Sequence, residues 1–323
     1  MNDVLRTIVR NLSTLAVLAA ASAAGVAARG QSNIPAPPAP KALSLTTKDN
    51  VQLRITYYPS NAGVQAVPVV MLHDFNETRA VFDPLARALQ HPRTPEGGPA
   101  KVASRAVVTV DLRGHGESKT GVAPDGSPVE LDAARFQAAD FQAMVALDME
   151  AVRAFLLDEN DAGKLNLNKL CVLGSGMGAN VAVLFAANDW AMPPLAVRKQ
   201  GQDVKALVLL SPRWRERGLY LKDAFAFPPV QRNISYLLAY GIEDRNVTAD
   251  CRNIERILSK FHPAVPPDRA PTDQSLFVFA LPTNLQGTQL LTSRAFSVGL
   301  RVADFIEARL GRQDFPYIPR KKK

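Results

Sequence analysis

Three glycines in five residues, Gly174-Ser175-Gly176-Met177-Gly178, separate a short apolar run ending at Leu173 from a helical pattern spanning Met177 to Ala187. This run predicts a sharp strand-to-helix turn. At such a turn the strand and helix backbones approach each other two residues before and two residues after the tip, so both flanking positions must be small. Gly174 and Gly178 meet that requirement when residue 176 is the tip. With Ser175 at the tip, Leu173 and Met177 would occupy the crowded positions. The tip is therefore a glycine, a residue with no side chain.

Around this turn the chain alternates strand-like and helical segments. Leu43 to Thr47 and Val51 to Tyr58 bracket an Asp49-Asn50 turn and read as a hairpin. Short, mostly apolar strand-like runs follow at 67–72, 106–110, 169–173, 204–210, 234–240 and 276–280. Runs of this kind suit parallel strands buried on both faces. Helical spacing appears at Val81 to Leu89, along Phe136 to Leu157, after the glycine turn, and at about 249–260 and 294–310. Strands alternating with helices imply right-handed crossovers. The expected fold class is α/β, with a mostly parallel eight-stranded sheet and helices on both faces. The connection from Leu210 to Ile234 is too short for a large helical lid and predicts a comparatively open site.

Four segments in order carry a resemblance to the α/β-hydrolase superfamily over residues 43–312. Val69-Val-Met-Leu-His73 resembles the strand entering that family's oxyanion loop, and Asp111-Leu-Arg-Gly-His-Gly-Glu-Ser118 resembles its Asp-x-Arg-Gly-His-Gly-x-Ser turn. Gly174 to Gly178 resembles the nucleophile elbow, and Gly241-Ile-Glu-Asp244 the turn carrying the triad acid. The resemblance implies the α/β-hydrolase fold. It would also imply acyl transfer, which needs an activated hydroxyl, a histidine and an orienting acid.

Those requirements are met only in part. The nucleophile position is Gly176, and the expected base position, after the last strand, holds Gln286. None of the four histidines, His73, His91, His115 and His262, follows residue 262. A glutamine cannot accept a proton near neutral pH. Only the acid, Asp244, remains, and a hydrogen bond from it to Gln286 would keep the former triad side satisfied. Asp74 stands where a glycine is usual. Its carboxylate would either oppose a developing oxyanion or point to solvent. The resemblance thus predicts a pseudohydrolase with no functional catalytic residue. His73, Asp74, Phe75, Ser175 and Met177 line its expected cleft, which would take a small apolar or acyl ligand or a protein partner. The alternative is an active esterase, thioesterase or peptidase with Ser175 as a displaced nucleophile. A third reading is an interaction protein whose cleft is filled by its own side chains. No cofactor or metal site is expected, because no His/Cys spacing suggests one.

At 323 residues, the chain suits one large α/β unit (42–312) with extensions. Residues 1–28 read as a signal peptide, with Arg6 and Arg10 before an apolar Leu15 to Ala28 stretch and a Val-Ala-Ala cleavage site. That stretch falls short of the roughly 20 residues of a spanning helix. The expected localisation is secreted or periplasmic; the alternative is an uncleaved membrane anchor facing outside the cytoplasm. Residues 29–41 form a Pro-rich linker. Half of the net charge of +8 comes from Arg320 to Lys323, in a basic tail (313–323) expected to be solvated. No aromatic-interleaved basic stretch accompanies it, which argues against nucleic-acid binding. Membrane contact is expected only through the N-terminal segment. Cys171 reads as a buried strand residue and Cys251 as helical, leaving their pairing open.

Overall fold

The computed structural model describes residues 36–93, 102–195, 198–266, 269 and 273–320. The signal or anchor segment, most of the Pro-rich linker and Lys321 to Lys323 lie outside them. Among the described residues, no helix is long and apolar enough to cross a membrane.

β1 (Lys41–Thr46) and β2 (Gln52–Tyr58) form the expected hairpin, followed by β3 (Pro68–Leu72), α1 (Asp83–Gln90) and β4 (Ala106–Val110). A small hairpin, β5 (Thr120–Val122) and β6 (Pro128–Glu130), precedes α2 (Ala138–Ala143). A π turn at Met144–Asp148 carries α2 into α3 (Met149–Asp161). Next come β7 (Leu170–Ser175), α4 (Met177–Ala191) and β8 (Val204–Leu210). A short insertion then builds the hairpin β9 (Arg215–Glu216) and β10 (Leu219–Tyr220), with α5 (Lys222–Ala226) and α6 (Pro228–Arg232). The chain continues through β11 (Ser235–Gly241), α7 (Arg245–Leu258), β12 (Leu276–Leu281), α8 (Gln289–Thr292) and α9 (Val298–Ile306).

The eight-stranded sheet runs β1-β2-β4-β3-β7-β8-β11-β12. β2 pairs antiparallel with β1 and β4, and every other pairing is parallel. β3, β4, β7 and β11 are buried throughout, which is why they read as unbroken apolar runs rather than alternating ones. Each sheet face has its own core. On one, Val70, Val172 and Leu209 pack with Met144, Met149 and Ile254; on the other, Cys171, Leu173 and Val208 pack with Phe82, Val302 and Phe305.

The Asp111 to Ser118 turn is a structural knot. Fully buried Asp148, at the end of the π turn, accepts hydrogen bonds from Arg113 N (3.0 Å) and Nε (2.8 Å). Burial pushes Asp148 up to about 6, against the pull of the Arg113 guanidinium. Asp111 accepts from Arg79 N (2.7 Å) and Glu117 N (2.9 Å), and Ser118 Oγ donates to the Asp111 carbonyl (2.7 Å).

Two expectations change. The 211–233 connection is short and carries no large helical lid, as expected, but the site is not the open one expected: Leu219, Leu221, Phe225 and Val230 pack into the first core, Arg217 lies over Phe75, and Ser175 and Met177 are buried. The end of the chain is not a solvated tail as far as residue 320. Asn166 and Asn168 Nδ2 donate to the carbonyls of Phe315 (2.8 Å) and Pro316 (3.1 Å), and Asn160 Nδ2 to that of Ile318 (3.1 Å). Arg320, only 4% exposed, pairs with fully buried Asp203 at 2.6 Å. The basic side chain is held here by an opposite charge inside the protein. Cys171 and Cys251 are both free and buried, in the cores on opposite faces of the sheet.

Candidate functional site

The glycine turn joins β7 to α4, with Gly176 at φ 49°, ψ −116° as the N-cap residue of α4. Only glycine adopts that backbone conformation without strain on the order of 1–3 kcal/mol. The flanking glycines meet the predicted crowding. A Cβ at Gly174 would strike the backbone of Gly178 and Ala179, and one at Gly178 the carbonyls of Leu72 and His73.

The space above Gly176 is occupied. Asp74, on the loop after β3, turns its carboxylate inward, and its Oδ1 accepts from Met177 N (2.8 Å) and Phe75 N (2.7 Å). In a hydrolase of this fold, the N–H after the nucleophile and one from this loop form the oxyanion hole. Asp74 therefore puts a permanent carboxylate oxygen on donors of that kind. A Cβ at residue 176 would collide with the same carboxylate. Of the two orientations open to Asp74 in the sequence, the structure has the inward one. Burial raises its pKa, opposed by the Met177 and Phe75 N–H groups and by Arg217. The loop is fixed from behind, where Asp74 N donates to Glu77 Oε2 (2.9 Å) and Thr288 donates to Glu77 Oε1.

Asp244 and Gln286, the residues expected at the acid and base positions, are not bonded to each other. Asp244 caps α7, accepting from Asn246 N (2.9 Å) and Val247 N (3.0 Å). Gln286 does not turn to it as expected. Its Nε2 donates to the Gly241 carbonyl (2.8 Å), while its Oε1 accepts from Ser211 Oγ (2.6 Å) and Gly241 N (3.2 Å). An amide can donate and accept at once, so it ties the two strand ends together. Ser211, at φ 52°, also accepts from Gly287 N (2.9 Å).

Ser175 alternates with Cys171 and Leu173, so it faces the core opposite the elbow tip. It is 0% exposed, and its Oγ has no hydrogen-bond partner among the described residues. It abuts Gly287, where an added Cβ would lie 2.5 Å from the hydroxyl. Of the other expected cleft residues, His73 and Met177 are also 0% exposed, while Asp74 and Phe75 are half-buried.

The histidines serve the framework. His73 Nδ1 donates to the Asp74 carbonyl (2.7 Å), and Nε2 accepts from Leu112 N (3.1 Å). Burial lowers His73 to about 4. His115 Nδ1 bonds the Arg113 carbonyl (3.0 Å), and its ring lies 5.0 Å from that of His73. His262 bonds Ser275 Oγ (2.8 Å) beside Tyr236, at the strand ends away from Gly176. His91 is the C-cap residue of α1.

The β9–β10 hairpin covers the site. Arg217, its turn residue at φ 46°, places its guanidinium carbon 3.3 Å from the centre of the Phe75 ring, a cation–π contact. Neighbouring Glu216 has its pKa raised by burial and by the Asp74 charge. The sequence reading missed Ser211, Glu216 and Arg217, which lie in a connection without a motif.

An eight-stranded mixed sheet with a glycine elbow after its fifth strand in sequence order defines a class of fold. The profile of the alpha/beta hydrolase family matches residues 69–315, and the chain belongs to that family. Solved structures agree on the fold. An esterase of Pyrococcus furiosus is 17% identical, with a TM-score of 0.52, over 84% of this chain and 93% of that one. A dienelactone hydrolase of Anabaena variabilis is 15% identical (TM-score 0.51; 85% of this chain, 99% of that one). A peroxisomal α/β-hydrolase of Saccharomyces cerevisiae is 13% identical (TM-score 0.51; 86% and 90%). No curated protein matches the sequence.

Proposed function

We propose that this family member has lost serine-hydrolase activity and acts outside the cytoplasm by binding a protein partner. The observation carrying this reading is the Asp74 carboxylate, which fills the place of the nucleophile's side chain and occupies both oxyanion donors. Loss of a triad serine or histidine alone costs about a million-fold in kcat, and the remaining acceleration comes from the oxyanion hole and substrate binding. Here that hole also holds a negative charge, opposite to what a tetrahedral intermediate requires. Burial of Ser175 and Met177 beneath the surface, with Arg217 stacked on Phe75 above, favours a surface-bound partner over an acyl ligand in the cleft. Arg6, Arg10 and the apolar stretch from Leu15 to Ala28 support export.

The test combines a fluorophosphonate probe with short acyl nitrophenyl esters. The expected result is no labelling and no turnover above buffer. Stoichiometric labelling abolished by Ser175→Ala would establish the active-esterase alternative instead. Saturable stabilisation by short or medium-chain fatty acids would restore the ligand-binding reading. The mass of the exported chain should place its N-terminus near Ala28.

A further inference from the structure

We propose that a cavity at the end of the sheet opposite Gly176, before β8, binds a phosphate-sized oxyanion. It lies between α3, the loop before β8 and the bound C-terminal segment, with a volume of about 140 Å³. That is several times the roughly 30 Å³ share of one water. It is below the roughly 300 Å³ of typical small-molecule pockets. Arg153, Arg198, Lys199 and Arg320 line it, with Gln200 and a single carboxylate, Asp161.

The carboxylates around this cavity are engaged, apart from Asp189 Oδ1, which is buried without a hydrogen-bond partner among the described residues. Glu150 receives Arg153 Nε and Nη2 (2.8 and 2.7 Å). Asp203 is shared by Lys199 Nζ (2.6 Å) and Arg320 Nη2 (2.6 Å). Asp161 Oδ1 accepts from Arg320 N (2.7 Å) and Asn160 Nδ2 (3.1 Å). Asp189 Oδ2 is bonded to Asp203 N (2.6 Å) and Val204 N (3.0 Å). Arg198 is exposed and has no hydrogen bond or ion pair among the described residues. Its planar fork of donors suits an oxyanion.

Five cations, Arg153, Arg198, Lys199, Lys205 and Arg320, thus stand against the four carboxylates, and Arg198 is the one without a bonded partner among the described residues. Lys205, beside Asp203 and Lys199, is pushed down to about 8 by burial and by the Lys199 charge, despite the nearby carboxylates. An oxyanion in the cavity would be held by Arg198 at the mouth and would face Arg320, which is 4% exposed. The same chemistry is offered by free phosphate and by a phosphomonoester headgroup.

Thermal unfolding of the full chain, titrated with inorganic phosphate at constant ionic strength against chloride, tests the site. Phosphate should raise the midpoint saturably, and Arg198→Glu should weaken the apparent Kd at least tenfold while leaving the phosphate-free midpoint unchanged. Sedimentation with vesicles containing phosphatidic acid distinguishes the sources. Vesicle binding lost in Arg198→Glu, without a response to free phosphate, assigns the headgroup. An equal, non-saturating rise in both proteins, with no vesicle binding, is a general salt effect and overturns the proposal.

Discussion

Gly176→Ser is the substitution that most directly tests how Asp74 and the elbow depend on each other. A serine would have to adopt φ 49°, ψ −116°, which costs on the order of 1–3 kcal/mol in a non-glycine residue. Its Cβ would also displace the Asp74 carboxylate from Met177 N and Phe75 N. Two hydrogen bonds to a charged acceptor would be lost, partly offset by water, at a cost of about 2–3 kcal/mol. Together the loss is about 3–6 kcal/mol, or roughly 5–10 °C in the unfolding midpoint of a domain this size. Asp74→Gly in the same background removes the collision. The double-mutant cycle should therefore show a coupling of about 2–3 kcal/mol, the pair being more stable than the sum of the single changes predicts. Thermal and urea unfolding of the four proteins measure it. Additivity within about 0.5 kcal/mol, or an unperturbed Gly176→Ser protein, would refute the claim that one volume serves both residues.

The same geometry sets the minimum for a reactive serine at residue 176. Gly176→Ser with Gln286→His should stay unreactive to fluorophosphonate because Asp74 remains in place, and adding Asp74→Gly should give detectable labelling; labelling of the double variant would contradict this. His73→Gln should reveal the cost of protonating a buried imidazole. With a folded value of about 4 against 6.5, the wild type has this contribution in full above pH 6.5 and loses it as the pH falls toward 4, at most about 3 kcal/mol. The stability gap between wild type and variant should therefore narrow over that interval, and a constant gap would exclude it. Arg320→Ala leaves fully buried Asp203 with Lys199 alone and should cost about 3 kcal/mol in urea unfolding. A loss below about 0.5 kcal/mol would show that the C-terminal segment is not part of the fold.

The sheet was legible because burial on both faces leaves a plain mark, an uninterrupted apolar run, and because the glycines around residue 176 are required by local crowding. The glycine at 176 and the glutamine at 286 were plain in the sequence, because both stand at fixed offsets from strands that it marks. The meaning of Asp74 was not, because Asp74 and Met177 are 103 positions apart in the chain and only folding brings the carboxylate to that N–H. Gln286 was found by position, but its partners, Gly241 and Ser211, depend on how two strand ends meet. Arg320 was misread as a solvated charge. The side chains that bind its segment, Asn160, Asn166 and Asn168, are polar residues whose carbonyl partners lie about 150 positions further along the chain.

The two thiols have a practical consequence. Cys171 and Cys251 lie in separate cores, with the sheet between them, and burial holds both well above the usual thiol range. The fold therefore takes nothing from an oxidising compartment and loses nothing in a reducing one. The same folded domain should be obtained from cytoplasmic or exported expression. A cysteine introduced at Leu300, which is 68% exposed, would be the sole reactive thiol in the native chain, ready for a fluorophore or spin label without removing either native one.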